Sequence, residues 1–471
     1  MSSSASPTLP PEPAAPVYIN ALMFNTVGYL FSGMLIFLMQ LGFALLEAGA
    51  VRAANATNIT LKNTLNAALG MVCYWVSGFG LSYGGGNKFI GSSAFFLLDL
   101  ESLGFTEAFA FCQLMFALTS STIMSGSMAE RTNLVSYCFA VIMLILFVYP
   151  VVVHWCWSDW GWLSQMGYID HAGSSVVHAT GGCAALLGAL MVGPRIGRFG
   201  SSGQPMSLPG HSTVLVAQGA LLLWVGFFAF NICSGNDFTQ ATILGHIAIT
   251  TTLSGAFAAL AVLLAVKAMQ RRWSLLIALN AVLAGLVAIC SGCATVPHWA
   301  AVIIGAFAGL QLLLTSHLMV RFKIDDPLDA IAVHLGGGIV GTIGSGLFAR
   351  EEGLVFTVWC FDQHGFCRRL RSFAPSLVFI RQQGDFSQLG IQLLGILCVC
   401  SWTCAWSFLV FFALRRAGML RVSEKAELEG LDVYTHREPS YPEFMGMRRD
   451  PDELAMRPTL FPLAEARDLN A

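Results

Sequence analysis

Charge is what this sequence has least of. Asp, Glu, Lys and Arg make up 11% of its 471 residues, about half the share of an ordinary soluble domain. With 55% hydrophobic residues and a mean hydropathy of +0.67, that deficit excludes a water-soluble globular chain and a disordered one alike. Neither sign of charge dominates: 25 Lys and Arg stand against 27 Asp and Glu, for a net charge of −2. A polyanionic partner such as nucleic acid is therefore not expected. A disulfide-stapled module is not expected either, because the 13 cysteines are odd in number and scattered through apolar runs. They read as small hydrophobes. Cys290-x2-Cys293 has no second pair to complete a zinc site, and no metal or cofactor is implied. The Ser/Pro-rich start lacks a basic region ahead of an apolar one, so residues 1–24 read as an N-terminal lead outside the membrane and not as a cleaved signal.

What is present is a series of long apolar runs. A membrane-crossing helix needs roughly 20 mostly apolar residues. Eleven such windows lie near 25–49, 64–84, 107–129, 134–155, 172–194, 212–233, 240–266, 274–292, 300–320, 330–349 and 389–414. The expectation is an all-α integral membrane protein with its membrane domain over 25–414. With the N-terminus outside, 19 of the 25 Lys and Arg residues fall on inner segments, so the positive-inside rule predicts N-out, C-in. The glycosylation sequons at Asn55 and Asn58 then lie on an inner loop and go unused. The exception to the charge rule is a basic cluster, Arg350, Arg368, Arg369, Arg371 and Arg381, on an outer segment that also carries Cys360 and Cys367. From Arg415 to Ala471 the chain becomes charged and proline-punctuated, as expected of a cytosolic tail.

One pattern occurs twice. Asp170-x7-His178-x2-Gly181-Gly182 returns as Asp326-x7-His334-x2-Gly337-Gly338, with a further glycine ten residues past each histidine, at Gly188 and Gly344. The copies open the fifth and tenth spans. Five is odd, so a duplicated five-span unit inserts in opposite directions, giving a 5+5 inverted repeat with one extra C-terminal span and a site near the midplane. An acid in the first turn of each helix caps it and faces the positive end of its dipole. Eight helical residues rise roughly 12 Å, which carries each histidine deep into the hydrocarbon from opposite sides. Glycines beside them admit a close neighbouring backbone, and paired ionisable groups at that depth point to function.

At these residues the sequence resembles the ammonium transporter family, relatives of the Rhesus proteins, over roughly 20–440. The resemblance rests on Gln40-Leu-Gly-Phe-Ala-Leu-Leu-Glu-Ala-Gly-Ala-Val-Arg52, Ala129-Glu130-Arg131, Asp170 to His178, Gly226-Phe-Phe-Ala-Phe-Asn231, Asp325-Asp326-Pro-Leu-Asp329 with His334, and Glu429-Gly-Leu-Asp432 with His436. It implies a homotrimer in the plasma membrane, each protomer with its own pore for ammonium or methylammonium. The family's outer recruitment site maps onto Trp157, Phe116 and Ser234, its stacked phenyl gate onto Phe116 and Phe230, its pore histidines onto His178 and His334, and its supporting acid onto Asp170, whose repeat counterpart is Asp326. The tail segment with Gly430, Asp432, Tyr434 and Thr435 resembles one that docks on a neighbouring subunit and regulates transport. Three positions depart from the pattern: Cys112 replaces an aromatic, Phe227 a Trp, and Arg437 a Gly.

Ammonium and potassium are nearly the same size, so only hydrogen bonding and deprotonation separate them. Trp157 attracts any cation by roughly 0.5–2 kcal/mol, whereas an apolar pore excludes a bare cation and passes neutral ammonia. Histidine is the side chain suited to handling the proton left behind. Smaller expectations are that Glu47 pairs with Arg52, Lys62 with a tail carboxylate, His154 sits at the interface, and Trp160 and Trp162 form an aromatic belt. A sensor signalling through the tail is the alternative function. An enzyme using both histidines as metal ligands lacks a third ligand.

Overall fold

The computed structural model describes residues 15–235, 237–350, 352–355 and 386–442. The basic cluster from Arg368 to Arg381, with Cys360 and Cys367, lies outside the described residues. Among those described the fold is all helical, with three isolated β-bridges and no strand. The bundle consists of α1 (Ala15–Ala50), α2 (Ala53–Tyr83), α3 (Glu107–Ser127), α4 (Leu134–Gln165), α5 (Ser174–Val192), α6 (Thr213–Cys233), α7 (Ala241–Gln270), α8 (Leu275–Ile289), α9 (His298–Arg321), α10 (Ile331–Phe348) and α11 (Ser387–Arg416). A short α12 (Glu424–Glu429) follows in the tail. Ten of these helices are long and apolar enough to cross a bilayer. The run expected at 274–292 forms α8, which has 15 residues and is shorter than the rest.

Two helix starts lie well ahead of the sequence expectation. Helix α1 starts at Ala15, inside the stretch read as a lead, since Pro16 is tolerated in a first helical turn. Helix α2 starts well before residue 64 because its opening residues are polar yet buried: Asn55, Asn58, Lys62 and Asn63 are each at most 4% exposed. A hydropathy window does not register a helix whose first turns are polar.

The surface is apolar and much of the interior polar, as a bilayer solvent requires. Phe307, Leu264, Val214 and Leu397 are each more than 60% exposed, whereas Gln40, Asn66, Thr122 and Asn231 are buried. Helices touch through glycine. A Cβ on Gly219 of α6 would lie 2.5 Å from the Gly42 carbonyl of α1, and one on Gly305 of α9 would lie 2.2 Å from the Ser254 carbonyl of α7. Van der Waals packing of this kind replaces the hydrophobic effect as the force between helices in lipid. His154 is buried: Nδ1 lies 2.9 Å from the Ser82 carbonyl and Nε2 2.8 Å from that of Asn87. It ties α4 to the loop after α2. Trp162 packs edge-on against Trp155, and Trp160 stands half exposed.

Candidate functional site

Both histidines sit in π-helical turns that open their helices, His178 in Ser174–Ala179 and His334 in Ile331–Gly336. Such widened turns recur at functional positions because they rotate side chains out of the regular helical register. The duplicated glycines then let the two helices cross in contact. A Cβ on Gly182 would lie 2.5 Å from the Leu335 nitrogen, and one on Gly338 2.4 Å from the Ser174 carbonyl. The result is direct contact between the rings, with Nδ1 of His178 and Nδ1 of His334 3.2 Å apart and the ring planes 18° from parallel. That bond has room for one proton, so one ring donates and the other accepts. His178 is fully buried and its Nε2 has no hydrogen-bond partner among the described residues.

Aromatic rings continue from the pair towards the face opposite the tail. His178 lies 5.4 Å from the Phe230 ring, Phe230 4.2 Å from Phe116, and Phe116 5.7 Å from Trp157. Trp157 donates its indole N–H to the Asp170 carbonyl at 2.7 Å, which fixes the ring over this end of the column. The Ser234 hydroxyl donates to the Phe230 carbonyl at 2.9 Å and keeps its lone pairs available. Two residues in the column were not singled out as site residues by sequence: Phe227 stacks 5.5 Å from His178, and Phe43 lies 6.2 Å from His334. The replacement of Trp by Phe227 was visible, but its contact with His178 was not.

Cys112 and Cys233, expected as scattered small hydrophobes, bring their sulfur atoms together between α3 and α6. Each lies about one helical turn from a phenyl of the Phe116–Phe230 pair. Nothing in the local sequence links residues separated by 121 positions.

Asp170 is not in the first turn of α5. Gly173, at φ +90°, breaks the chain before the helix, and the carboxylate folds back as its cap: Oδ2 accepts from the Ser175 and Val176 backbone N–H groups, both at 2.9 Å, and from the Ser175 hydroxyl at 2.6 Å. Asp326 repeats the device, accepting from the Ile331 N–H at 2.7 Å. In both acids Oδ1 is buried without a hydrogen-bond partner among the described residues. Burial pushes the Asp170 carboxyl above its ordinary value, with the bond from Ser175 opposing. Burial, reinforced by Asp329, pushes Asp326 up to about 7.

A model of the Ammonium Transporter Family matches residues 27–441 of this chain. The chain belongs to that family. Among its relatives, ammonium transporter 1 member 3 of Solanum lycopersicum is 40% identical over 430 residues, covering 88% of this chain and 92% of that one. The putative ammonium transporter 1 of Caenorhabditis elegans is 39% identical over 433 residues, covering 87% and 77%. The solved structure of a Sensor Amt Protein superposes with a TM-score of 0.79 at 31% identity, covering 89% of this chain and 99% of that one. Saccharomyces cerevisiae Mep2 does so with 0.73 at 25% identity, covering 86% and 88%. The protein is thus a multi-pass membrane transporter of the ammonium family and not an enzyme.

On the opposite end of this ammonium transporter the tail folds back onto the loops of its own chain. Asp432, fully buried, accepts from the Thr57 N–H at 3.0 Å and the Asn58 N–H at 2.8 Å, so it caps the start of α2. His436 bonds Asn58 at 2.7 Å, the Leu431 N–H donates to Asn55 at 2.9 Å, and Glu427 accepts from the Ile196 N–H at 2.7 Å. Gly430 is required where it stands: at φ +96°, a Cβ would lie 2.3 Å from that of Ala54. Arg437, the departure from the expected Gly, has φ +58°, a region that disfavours a side chain. Tyr434 and Thr435 are exposed. The expected partners of two buried charges are corrected. Arg52 pairs with Glu130, leaving Glu47 to Asn63 and Ser125, while Lys62 donates to the Thr132 carbonyl at 3.0 Å. These contacts join loops far apart in sequence, which the local pattern could not specify.

Proposed function

We propose that this chain carries ammonium across the plasma membrane by recruiting the cation at Trp157, Phe116 and Ser234, removing one proton, and passing ammonia between Phe116 and Phe230 and along His178 and His334. The observation that carries this reading is the buried bond between the two histidines at the end of a column of rings. A desolvated cation is costly there. A pair sharing one proton resists a second charge while still moving a proton along. Current and radiolabelled methylammonium uptake, recorded together in oocytes, test it: uptake accompanied by current is expected, and uptake with no current overturns the relay.

At the recruitment site the expected loss is moderate. Trp157→Leu and Ser234→Ala should weaken uptake most at limiting ammonium, by up to roughly thirtyfold for the full range of a cation–π contact. Unchanged uptake at limiting substrate in both variants would remove this assignment.

The same reading includes eleven crossings in a 5+5 inverted repeat with α11 added, an N-out, C-in orientation, and a homotrimer. The matched π-turns, caps and glycine contacts of α5 and α10 support the repeat, and the excess of Lys and Arg on the tail side supports the orientation. A membrane-impermeant label placed after Arg416 should be protected in intact cells. Labelling from outside would reverse the assignment. A sensing role, in which the tail reports pore occupancy, is favoured by the Asp432 cap, because the tail contacts a pore-forming bundle directly.

A further inference from the structure

On the tail side of His334 lies a cavity of about 20 Å³, room for a single water-sized molecule. Its lining is apolar, with Phe43, Leu283 and Leu328 among it, except for His334, Asn280 and Glu47. Glu47 is 1% exposed. Its Oε2 accepts from Asn63 at 2.6 Å and from Ser125 at 2.9 Å, while Oε1 makes no hydrogen bond among the described residues. A carboxylate held on one oxygen and left open on the other, facing a cavity that fits ammonia or water, is a poor structural pin. Placed there only to hold α2, a neutral amide would serve equally without the cost of a buried charge.

We propose that Glu47 is the cytosolic proton station of the pore. This rests on the reading of His178 and His334 as a proton relay. The proton released by ammonium above the phenyl pair crosses from His178 to His334 and passes through a water in the cavity to Oε1, turning the carboxylate into the acid. Ammonia arriving in the cavity then takes that proton from Oε1 and leaves as ammonium, and the carboxylate is restored. One ammonium enters, one leaves, and no charge accumulates. The other groups that face Glu47 are compatible with this cycle. Lys62 on α2 and Tyr137 on α4 stand within electrostatic reach, and Asn280 on α8 is oriented by its bond to Asp329.

The test is the current carried per methylammonium taken up, with surface protein quantified. Glu47→Gln keeps the shape and the bonding positions of the side chain but cannot take up a proton. The ratio is expected to fall roughly tenfold or more, within the range attributed to a positioned acid–base group, while uptake persists. Ser125→Ala removes one bond but leaves the carboxylate, and should lower the ratio less than Glu47→Gln does. Should Glu47→Gln protein fail to reach the membrane, Glu47→Asp, which withdraws the carboxylate from the cavity, is expected to lower the ratio. A wild-type ratio in the variant that reaches the surface, or an equal fall in Ser125→Ala, overturns the proposal. His178→Gln and His334→Gln run beside it separate the two levels. If they lose current and the Glu47 variant does not, Glu47 alone is wrong; if all keep it, the relay itself is wrong.

Discussion

His178→Gln and His334→Gln are each expected to reduce the current carried per methylammonium by roughly tenfold or more, a loss equivalent to about 1.4 kcal/mol or more in the barrier to charge movement. The reason is geometric. The two rings are joined by a single bond of 3.2 Å, with the Phe227 and Phe230 rings packed against His178. An amide in place of either ring keeps the shape of the wall but cannot accept and release a proton in the same way. Neutral ammonia, which needs neither, continues to pass. Replacement by aspartate has a different expected outcome: His334→Asp or His178→Asp places a fixed carboxylate where the proton-sharing pair stood. It offsets part of the desolvation of a bare cation, so potassium should begin to permeate. If the rings only line the wall, the amide variants carry current and exclude potassium as wild type does. That result, in protein shown to reach the membrane, would remove the mechanism.

The second large effect is expected at the tail. Truncation after Arg421 removes Glu427 and Asp432 together, and Asp432→Ala removes the cap alone. Two backbone N–H groups of α2 lose a charged acceptor, with each such bond contributing about 1.5–3 kcal/mol. They also lose the favourable placement of a negative charge at the positive end of a helix dipole. Transport is expected to fall at least fivefold, since the freed end of α2 carries Asn63, which holds Glu47 at 2.6 Å. Phosphate on Tyr434 or Thr435 brings two negative charges beside Asp432 and should act in the same direction. Arg437→Gly should favour docking instead, by removing a side chain from a left-handed backbone position. Full transport and intact regulation in the truncated protein would show that the tail contact has no functional role.

How much of this was legible in the sequence differs from element to element. The membrane helices announced themselves through the scarcity of charge, and α5 and α10 through the duplicated Asp, His and Gly spacing. The start of α2 did not, because a helix that opens on buried Asn55, Asn58 and Lys62 looks like a loop to any measure of hydropathy. The resemblance to the ammonium transporter family singled out Trp157, Phe116, Phe230 and Ser234, and the structure brings the three aromatics into one column with the histidines. It did not reveal that Phe227 and Phe43 flank the pair, nor that the Cys112 departure is matched by Cys233.

The sequence by itself determined the membrane class, the spacing of the two histidine modules and the charged tail, because hydropathy and spacing are local properties of the chain. Tertiary structure alone decided who meets whom. Asp432 caps a helix that begins nearly 380 residues earlier, Glu47 bonds Asn63 and Ser125 instead of Arg52, and the histidines touch through Nδ1. Each of these depends on where helices cross, and the crossings are set by glycines at which an added Cβ would lie 2.2–2.5 Å from a neighbouring backbone, between segments that no local pattern connects. In a bilayer, where apolar surface carries little preference for one neighbour over another, close packing and buried polar partners select the arrangement.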